Sequence, residues 1–451
     1  MGLPTPSEHQ EQAITSALDW YRENQDIRPE GDGASDFYLG GFAGTGKSTI
    51  LPTIIDRVGV PPEDIQFCAP TGKAAKVMSE KLKAYGIDRR ARTIHSLIYR
   101  PRTLKAEIIQ KALDDAKGHR DYILTGLHED GITNWRTHPS LVEIDRTIGM
   151  LEHDLDKAFD ESEGPKFYLN PDSDLRKAKL LVLDELSMVG TTIAEDLRGF
   201  GVPILGIGDP GQLPPVGENP GFTNREPDFF MTEIHRQARD NPIIALSILA
   251  REGRNIKPGK YGDGVEVVER IRDDATYDMD RNAQIIVGTN KRRWNVTNKL
   301  RKKLGYLSSG PCAGEPLIIC KNSRTIPDFV NGAFVNCVHD TGDLQEGSVA
   351  LRVMVEDEDG IQRTVVAVQG LFEEHKLLKK GESTAPKNLA FRARIDNEHL
   401  DWGWAITCHK SQGSQWDDVI LHDESGAFRE DAARWLYTGI SRAAKRLTLV
   451  L

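Results

Sequence analysis

The segment Gly41-Phe-Ala-Gly-Thr-Gly-Lys-Ser48 decides the fold class of this chain. It follows a short apolar run, Phe37-Tyr38-Leu39, and precedes a stretch with the composition of a helix. Glycines at this spacing allow backbone N–H groups to surround phosphate oxygens, while the lysine reaches the β- and γ-phosphates and the hydroxyl ligates magnesium. The segment therefore predicts a phosphate-binding loop (P-loop) between a strand and a helix. Its predicted nucleotide-binding residues are Gly41, Gly44, Thr45, Gly46, Lys47, Ser48 and Thr49.

A second segment, Leu180-Leu-Val-Leu-Asp184-Glu185, has the pattern of a buried strand that ends in two carboxylates. Downstream of a P-loop, Asp184 is expected to hold magnesium together with Ser48, and Glu185 is expected to polarise the attacking water. The two segments together predict an NTPase. The doubled Asp-Glu favours hydrolysis over phosphoryl transfer to an acceptor.

Short apolar runs alternate with helical stretches over most of the chain, which is typical of parallel strands buried on both faces. They form one set up to Ile207 and a second set from Gln284 onward, which predicts an α/β fold with two doubly wound units. Two stretches interrupt the pattern. Residues 96–179 are mostly polar, whereas residues 321–389 alternate around the turn Asp357–Gly360 and predict a small β-barrel or sheet insert.

Composition sets broader limits. The chain has 451 residues, 39% of them apolar, and a formal net charge of −10. Such a length predicts about three domains, and the acidic total taken alone argues against a nucleic-acid partner. However, residues 143–164 hold eight acids against two bases, and residues 340–374 hold nine against two, so the remainder is slightly basic. The charge total therefore does not exclude nucleic acid.

The N-terminal segment has no apolar core or basic leader, so no signal peptide is expected. No apolar run approaches the ~18 residues of a membrane span. The five cysteines are odd in number, scattered and without a CxxC pair, which favours reduced thiols over disulfides or zinc. A cytoplasmic protein without membrane association is expected.

The segment Gly206-Ile-Gly-Asp-Pro-Gly-Gln212-Leu-Pro-Pro-Val216 narrows the class. Here the chain resembles superfamily 1 helicases, and most closely the 5′→3′ class with RecD-like and Dda-like proteins. Further segments resemble the family's motifs in the family's order across most of the chain. They lie at 8–13, 69–75, 93–97, 232–237, 405–414 and 437–443.

The resemblance implies two RecA-like parallel-sheet motor domains with inserted accessory subdomains. Domain 1A would cover 1–97 and 177–230, with insert 1B over 98–176. Domain 2A would cover 231–320 and 396–451, with a small β-rich, SH3-like insert 2B over 321–395. The first insert is longer than the hairpin of Dda-like relatives, so no strand-separating residue is assigned.

The resemblance also implies roles at the nucleotide. Gln10 would contact adenine, with Gln12 as an alternative, and Gly413 would join the nucleotide-binding residues. Gln212 would sense the γ-phosphate. Arg236 and Arg442 would act as arginine fingers from the second unit, which ties hydrolysis to closure of the two units.

Hydroxyls, histidines and lysines in the remaining motifs are suited to grip a nucleic-acid backbone without reading bases. The candidates are Thr71, Lys73, Thr93, His95, Thr407, His409, Lys410 and Ser411. The basic run Lys291–Lys303 adds Arg293 and Trp294, with the indole as a stacking platform, and the resemblance adds Asn290 directly before it. A solvated helix face, and histidines used as caps or buried donors, are the structural alternatives.

The resemblance therefore implies an ATP- and Mg²⁺-dependent DNA helicase. It would track 5′→3′ on single-stranded DNA and unwind duplex junctions, although the motifs themselves do not encode polarity. Two alternatives stay open: a RecD-like subunit active only in a nuclease complex, and an NTP-dependent strand-binding switch without unwinding. RNA is a weaker alternative track. Replication or recombination proteins are the expected partners, and a monomer is the expected state.

Overall fold

The computed structural model describes residues 5–26, 35–101, 105–160, 167–233, 241–269, 283–323, 325–346, 348–373 and 397–451. They form two compact units. The smaller unit is the described part of Tyr99–Asn170, and the larger unit holds the described residues on either side of that segment. Within the described ranges, no helix combines the length and the apolar character that crossing a bilayer requires.

The elements are as follows. The strands are β1 (Asp36–Gly41), β2 (Ile65–Ala69), β3 (Arg92–Thr93), β4 (Tyr99–Pro101), β5 (Phe167–Leu169), β6 (Leu180–Leu183), β7 (Ile204–Gly208), β8 (Phe229–Met231), β9 (Gly259–Gly262), β10 (Val265–Val268), β11 (Gln284–Val287), β12 (Pro316–Ile319), β13 (Phe334–Cys337), β14 (Ala350–Glu356), β15 (Gln362–Val368), β16 (Leu400–Trp402), β17 (Ala405–Thr407), β18 (Trp416–His422) and β19 (Ala443–Val450). The helices are α1 (Glu8–Asn24), α2 (Lys47–Arg57), α3 (Gly72–Ala84), α4 (Ile94–Ile98), α5 (Lys105–Glu129), α6 (Pro139–Asp160), α7 (Thr191–Arg198), α8 (Pro242–Arg251), α9 (Asn290–Lys303), α10 (Cys408–Ser411) and α11 (Ala432–Ile440).

The first sheet has six parallel strands in the order β3-β2-β6-β7-β1-β8. Its central strands are buried on both faces, and helices α1, α2 and α3 add Ile14, Ile54 and Met78 to the same core. Strand β7 lies between β6 and β1, so the loops that follow these three parallel strands leave the sheet at one edge. The P-loop, the Asp184-Glu185 pair and the segment from Asp209 therefore meet there.

The second sheet repeats this architecture in the order β17-β11-β18-β19-β10-β9. Its strands are parallel except for the edge strand β9, which pairs antiparallel with β10. Trp435, Tyr437 and Ile440 of helix α11 are fully buried in its core. The predicted α/β fold with two parallel-sheet units is confirmed.

A five-stranded antiparallel sheet in the order β15-β14-β13-β12-β16 forms the β-rich insert. The predicted hairpin is β14–β15, and it turns at Asp357–Gly360. The sheet reaches beyond the predicted 321–395, because β12 and β16 belong to it. In β12, Leu317 and Ile319 face the core of this insert while Ile318 joins the core of the second α/β sheet, so one strand serves both.

The smaller unit consists of helices α5 and α6 with the antiparallel pair β4–β5. The helices pack through a narrow apolar seam that includes Leu113, Ala116, Ile148 and Leu155. This seam explains how a stretch that is mostly polar forms two long helices, since only one stripe of each needs to be apolar.

Candidate nucleotide site and strand-binding surface

The P-loop is shaped by its glycines. Gly44 and Gly46 have φ angles of +83° and +84°, a left-handed conformation that glycine adopts without steric cost. Gly46 is the N-cap of α2 and offers no side-chain cap, which leaves the first N–H groups of the helix to an anion. Thr45 is buried and donates from Oγ1 to the Phe42 carbonyl, so its hydroxyl stabilises the loop itself. Ser48 is half-buried and Thr49 is exposed.

Lys47 lies at the centre of the site. Its Nζ donates to the carbonyls of Gly41 and Phe42, the latter at 2.9 Å. Burial lowers the pKa of Lys47, while the carboxylates of Asp209, Glu185 and Asp184 act in the opposite direction. The ammonium is therefore the cation among three carboxylates, with N–H donors that can turn to phosphate oxygens.

The carboxylate pair after β6 has an unusual backbone. Asp184 Oδ1 accepts a hydrogen bond from the Glu185 N–H at 2.9 Å, and Glu185 has φ +58° and ψ +46°. A left-handed conformation costs a non-glycine residue about 1 kcal/mol or more and often marks a functional position. Burial raises the pKa of Glu185, and the Asp184 charge raises it further, while Arg442 and Lys47 oppose both. A glutamate with a raised pKa suits the polarisation of water.

The loop after β7 holds a glutamine with an unused acceptor. Asp209 Oδ1 accepts from the Gly211 N–H at 2.9 Å, and the Gln212 N–H donates to the Asp209 carbonyl. Gln212 is buried, and its Oε1 is among the buried polar atoms of the described chain that have no hydrogen-bond partner. Because such an atom costs free energy, it fits a position that a water molecule or another donor occupies during function.

Arg442 comes from the second α/β sheet, two residues after the end of α11. Its buried guanidinium donates to the carbonyls of Thr438 and Ser414 at 3.0 and 3.2 Å and to the Ser441 hydroxyl at 3.0 Å. Its charge opposes the rise in the pKa of Glu185, so the two groups interact electrostatically across the two sheets. The structure thus brings Lys47, Glu185, Gln212 and Arg442 to one region. Arg236 lies outside the described residues.

Gln10 and Gly413 have structural partners elsewhere. Gln10 belongs to a capping box: its Oε1 accepts from the Ser7 N–H at 3.0 Å, and its own N–H donates to Ser7 Oγ. This cap explains a buried glutamine at the start of α1 without an adenine, whereas Gln12 is exposed. At Gly413 a Cβ would lie 3.0 Å from the Ala74 Cβ, so the glycine permits close packing against α3. Their nucleotide contacts stay predictions.

Two oxygen ligands are available for a metal ion. Ser48 supplies a hydroxyl and Asp184 a carboxylate, the hard donors that Mg²⁺ prefers. Among the described residues, no group of three or more histidine, cysteine, aspartate or glutamate side chains is arranged to hold a metal. Ser48 and Asp184 would hold the ion as two protein ligands, with other positions for phosphate oxygens and water, as is usual for Mg²⁺.

Three of the predicted strand-contacting threonines cap helices. Thr71, Thr93 and Thr407 accept hydrogen bonds at Oγ1 from the N–H groups of Ala74, Ser96 and Lys410. Capping is what threonine commonly does before a helix, and it accounts for this residue type after each strand. The hydroxyls are therefore used in the fold, whether or not a strand passes beside them.

The other residues predicted to contact the strand differ in solvent exposure. His95, Lys410 and Asn290 are exposed, and His409 is half-buried with its ring 5.5 Å from that of Phe428. Partial desolvation of the two rings lowers the pKa of His95 and of His409, so each imidazole is neutral at pH 7 and can offer hydrogen bonds but no charge.

Two residues predicted to contact the strand have buried side chains with partners inside the fold, and their strand contacts stay predictions. Ser411 is fully buried and donates to the Cys408 carbonyl at 2.7 Å. Arg293 is 2% exposed and forms an ion pair with Asp401 at 3.0 Å. Trp294 is partly buried against the core of the β-rich insert, which explains its apolar ring without a stacked base.

An acidic residue in the turn between β14 and β15 forms ion pairs with two lysines of α3. Glu358, in the β14–β15 turn, contacts Lys73 Nζ at 2.8 Å and Lys76 Nζ at 3.2 Å. These lysines and their hydrogen bonds hold the pKa of Glu358 below its usual value despite its partial burial. The sequence did not indicate this residue, because its lysine partners on α3 lie far from it along the chain.

The chain is similar to known proteins in two of its segments and over most of its length. Residues 34–218 match the family model of an AAA domain, and residues 403–450 match that of a UvrD-like helicase C-terminal domain. The chain is 25% identical over 429 residues to the ATP-dependent RecD2 DNA helicase of Deinococcus radiodurans, covering 90% of this chain and 46% of that protein. It is 23% identical over 483 residues to the uncharacterized protein MJ1519 of Methanocaldococcus jannaschii, covering 92% and 36% respectively.

The chain thus spans less than half the length of these curated relatives. Among solved structures it is similar to the Pif1 helicase from Bacteroides in complex with ADP-AlF3 and ssDNA. The identity is 17% and the TM-score is 0.49, with 99% of this chain and 92% of that chain covered.

The two family matches divide the site between them. The AAA match contains the P-loop, the Asp184-Glu185 pair and Gln212, and the UvrD-like match contains Gly413 and Arg442. The AAA match comes before the UvrD-like match along the chain, which is the order of the motifs described above. In these two segments and in its overall sequence the chain is similar to superfamily 1 helicases of the RecD-like group.

Proposed function

We propose that this chain is an ATP-dependent DNA helicase that tracks 5′→3′ along single-stranded DNA and unwinds duplex. The observation that carries the proposal is the electrostatic interaction of Arg442 of the second α/β sheet with Glu185 of the first. An NTPase site completed by two sheets opens and closes as the sheets move, which is how hydrolysis can drive stepping. The polarity is taken from the resemblance to the 5′→3′ class.

In this proposal the residues after the strands of the first sheet bind ATP and activate the attacking water. The N–H groups of the P-loop and the Lys47 ammonium bind the phosphates of ATP, and Glu185 orients the attacking water and polarises it. Ser48 and Asp184 would hold Mg²⁺, which supplies positive charge beside the phosphate oxygens. The free acceptor of Gln212 senses the same water and phosphate region.

The second sheet completes the site. The planar guanidinium of Arg442 neutralises charge that develops on the phosphate oxygens, and its bonds to Thr438 and Ser414 fix its orientation. The accessible groups Lys73, His95, Asn290, His409 and Lys410 grip the strand through its phosphates and sugars. Such contacts position the strand and read no base sequence.

The proposal also covers the cellular compartment, the oligomeric state and the partners of the protein. The five cysteines, all of them free, support a reducing compartment, and we place the protein in the cytoplasm. The active species would be a monomer on single-stranded DNA, meeting duplex junctions and proteins of replication or recombination.

Stimulated ATP hydrolysis followed by unwinding tests the proposal. We expect single-stranded DNA to raise the ATPase rate more than RNA does, and we expect unwinding of duplexes with only a 5′ tail. Unwinding from a 3′ tail alone would overturn the polarity. An isolated protein without strand-stimulated ATPase would point to a subunit of a larger complex, and bound nucleotide without turnover would point to a switch.

Glu358 is predicted to compete with the strand for Lys73 and Lys76. Because its carboxylate would have to leave before a phosphate binds there, Glu358→Gln is expected to tighten single-stranded DNA binding about two- to fivefold at low salt. Fluorescence anisotropy at increasing salt measures this, and the gain should shrink as screening increases.

Glu356→Gln is the matched control, since it removes the same charge from the same hairpin while its partner is Gln362 rather than a lysine. An equal gain in both variants would assign the effect to net charge and would contradict a specific competition at the α3 lysines.

A further inference from the structure

Tyr437 connects the two halves of the nucleotide site through one hydroxyl. It lies in α11 and is fully buried. The Ala43 N–H of the P-loop donates to the Tyr437 Oη at 2.8 Å, and the same hydroxyl donates to Asp209 Oδ2 at 2.6 Å. A phenol O–H can accept from an N–H and donate to a carboxylate at the same time, which phenylalanine cannot do.

The loop after β7 is bonded at several residues to Tyr437 and to its neighbour in α11. Asp209 uses its second oxygen to accept from the Gly211 N–H, which fixes the turn leading to Gln212. The ring of Tyr437 lies against that turn, since a Cβ at Gly211 would be 3.0 Å from the ring Cε1. The next residue, Thr438, accepts from the Leu213 N–H at 3.0 Å.

A second segment of the second sheet reaches the same loop. The Gln412 amide, Nε2, donates to the Leu213 carbonyl at 3.0 Å, so Leu213 is bonded through both its N–H and its C=O. The helix that carries Tyr437 and Thr438 is also the helix that leads to Arg442, whose Nε donates to the Thr438 carbonyl. Movement of α11 would therefore act on the P-loop, the glutamine loop and the arginine together.

The protonation state of Tyr437 suits this task. Burial, followed by the Asp209 charge, raises the pKa of Tyr437 far above its ordinary value, so the hydroxyl keeps its proton at any physiological pH. Without that donor, Asp209 would lose a strong hydrogen bond while its carboxylate remained buried.

We propose that Tyr437 is a positioning residue for ATP hydrolysis, which aligns the P-loop, Gln212 and Arg442 by bonding Ala43 and Asp209 when the two α/β sheets meet. This inference rests on the proposed ATPase function. It assigns to Tyr437 no direct contact with nucleotide. Its effect is exerted through the geometry of the loop that carries Gln212 and of the helix that leads to Arg442.

Tyr437→Phe tests the proposal, with Tyr21→Phe as the matched control. Tyr21 is also a buried tyrosine, and its hydroxyl donates one hydrogen bond, to the Lys179 carbonyl at 3.3 Å, within the core of the first sheet. We expect Tyr437→Phe to lower the DNA-stimulated kcat roughly tenfold or more, with the KM for ATP and the Kd for single-stranded DNA changed less than about threefold. Tyr21→Phe should keep kcat within about twofold.

Thermal unfolding of both variants separates a structural effect from a positioning effect, because each variant loses one tyrosine hydroxyl, with two hydrogen bonds at Tyr437 and one at Tyr21. Equal kcat values for the two variants, or a loss that appears only in KM, would overturn the proposal. A wild-type protein without strand-stimulated ATPase would instead contradict the proposed function, so the two failures are distinguishable.

A conservative variant adds a second test. Asp209→Asn keeps an oxygen that can accept from the Tyr437 hydroxyl, whereas Asp209→Ala removes it. We expect kcat of Asp209→Asn to exceed that of Asp209→Ala. We also expect Tyr437→Phe to cost little further in the Asp209→Ala background. Additive losses in that double variant would show that the two residues act separately and would overturn the proposal.

Discussion

Arg442→Ala is expected to lower DNA-stimulated ATP hydrolysis on the order of 10³-fold, the scale on which arginine fingers act. The side chain is buried, its guanidinium is fixed by Thr438, Ser414 and Ser441, and its charge acts on Glu185. Arg442→Lys should recover only part of the loss, because an ammonium lacks the planar fork of donors. Steady-state ATPase assays at saturating single-stranded DNA measure both variants.

Arg434→Ala is the matched control for Arg442→Ala. Arg434 lies on α11, is half exposed and forms an ion pair with Asp431 at 3.3 Å, so its loss should leave turnover nearly unchanged. Binding of single-stranded DNA should be largely retained in Arg442→Ala. Full turnover in that variant would show that the arginine is not part of the site.

Lys47→Ala is expected to lower ATP hydrolysis about 10²- to 10³-fold and to weaken ATP binding, with single-stranded DNA binding largely intact. The physical reason is the charge balance around the P-loop. Lys47 lies among Asp209, Glu185 and Asp184, whose charges oppose the lowering of its pKa by burial, so its removal leaves these carboxylates to repel the phosphates. ATPase assays, with nucleotide binding measured by calorimetry, follow both losses.

Lys179→Ala provides the comparison for Lys47→Ala. Lys179 is largely exposed and pairs only with Asp64 among the ion pairs of the described residues, at 2.8 Å. Its replacement should change neither nucleotide binding nor hydrolysis. A Lys47→Ala protein that hydrolysed ATP at the rate of the Lys179→Ala protein would contradict the proposed phosphate site.

The fold class and the P-loop were predictable because their signals are local. A strand, a glycine-rich turn and a helix follow each other within Phe37–Arg57, and each step has its own composition. The hairpin at Asp357–Gly360 was predictable for the same reason, since alternation and a turn lie side by side. The order of strands was not predictable from such signals, because it depends on packing between distant segments.

Several side-chain partners were not predictable because they are far apart in sequence. Arg293 lies in a basic run, and nothing near it in sequence indicates that Asp401 will pair with it in the interior. The partnership of Glu358 with Lys73 likewise joins residues far apart in sequence. In the same way, Tyr437 belonged to a recognised segment, but its role depends on Ala43 and Asp209, which only the folded chain brings to it.

The left-handed backbone at Glu185 implies a conflict between the thermal stability of the protein and its ATP turnover. Asparagine or glycine would fill that position with less steric cost and without a buried charge, so Glu185→Asn should raise the melting temperature while hydrolysis is lost. A laboratory selection for heat resistance alone would therefore remove the proposed catalytic carboxylate. Engineering of this protein for thermal stability should hold that one residue constant and seek its gains elsewhere.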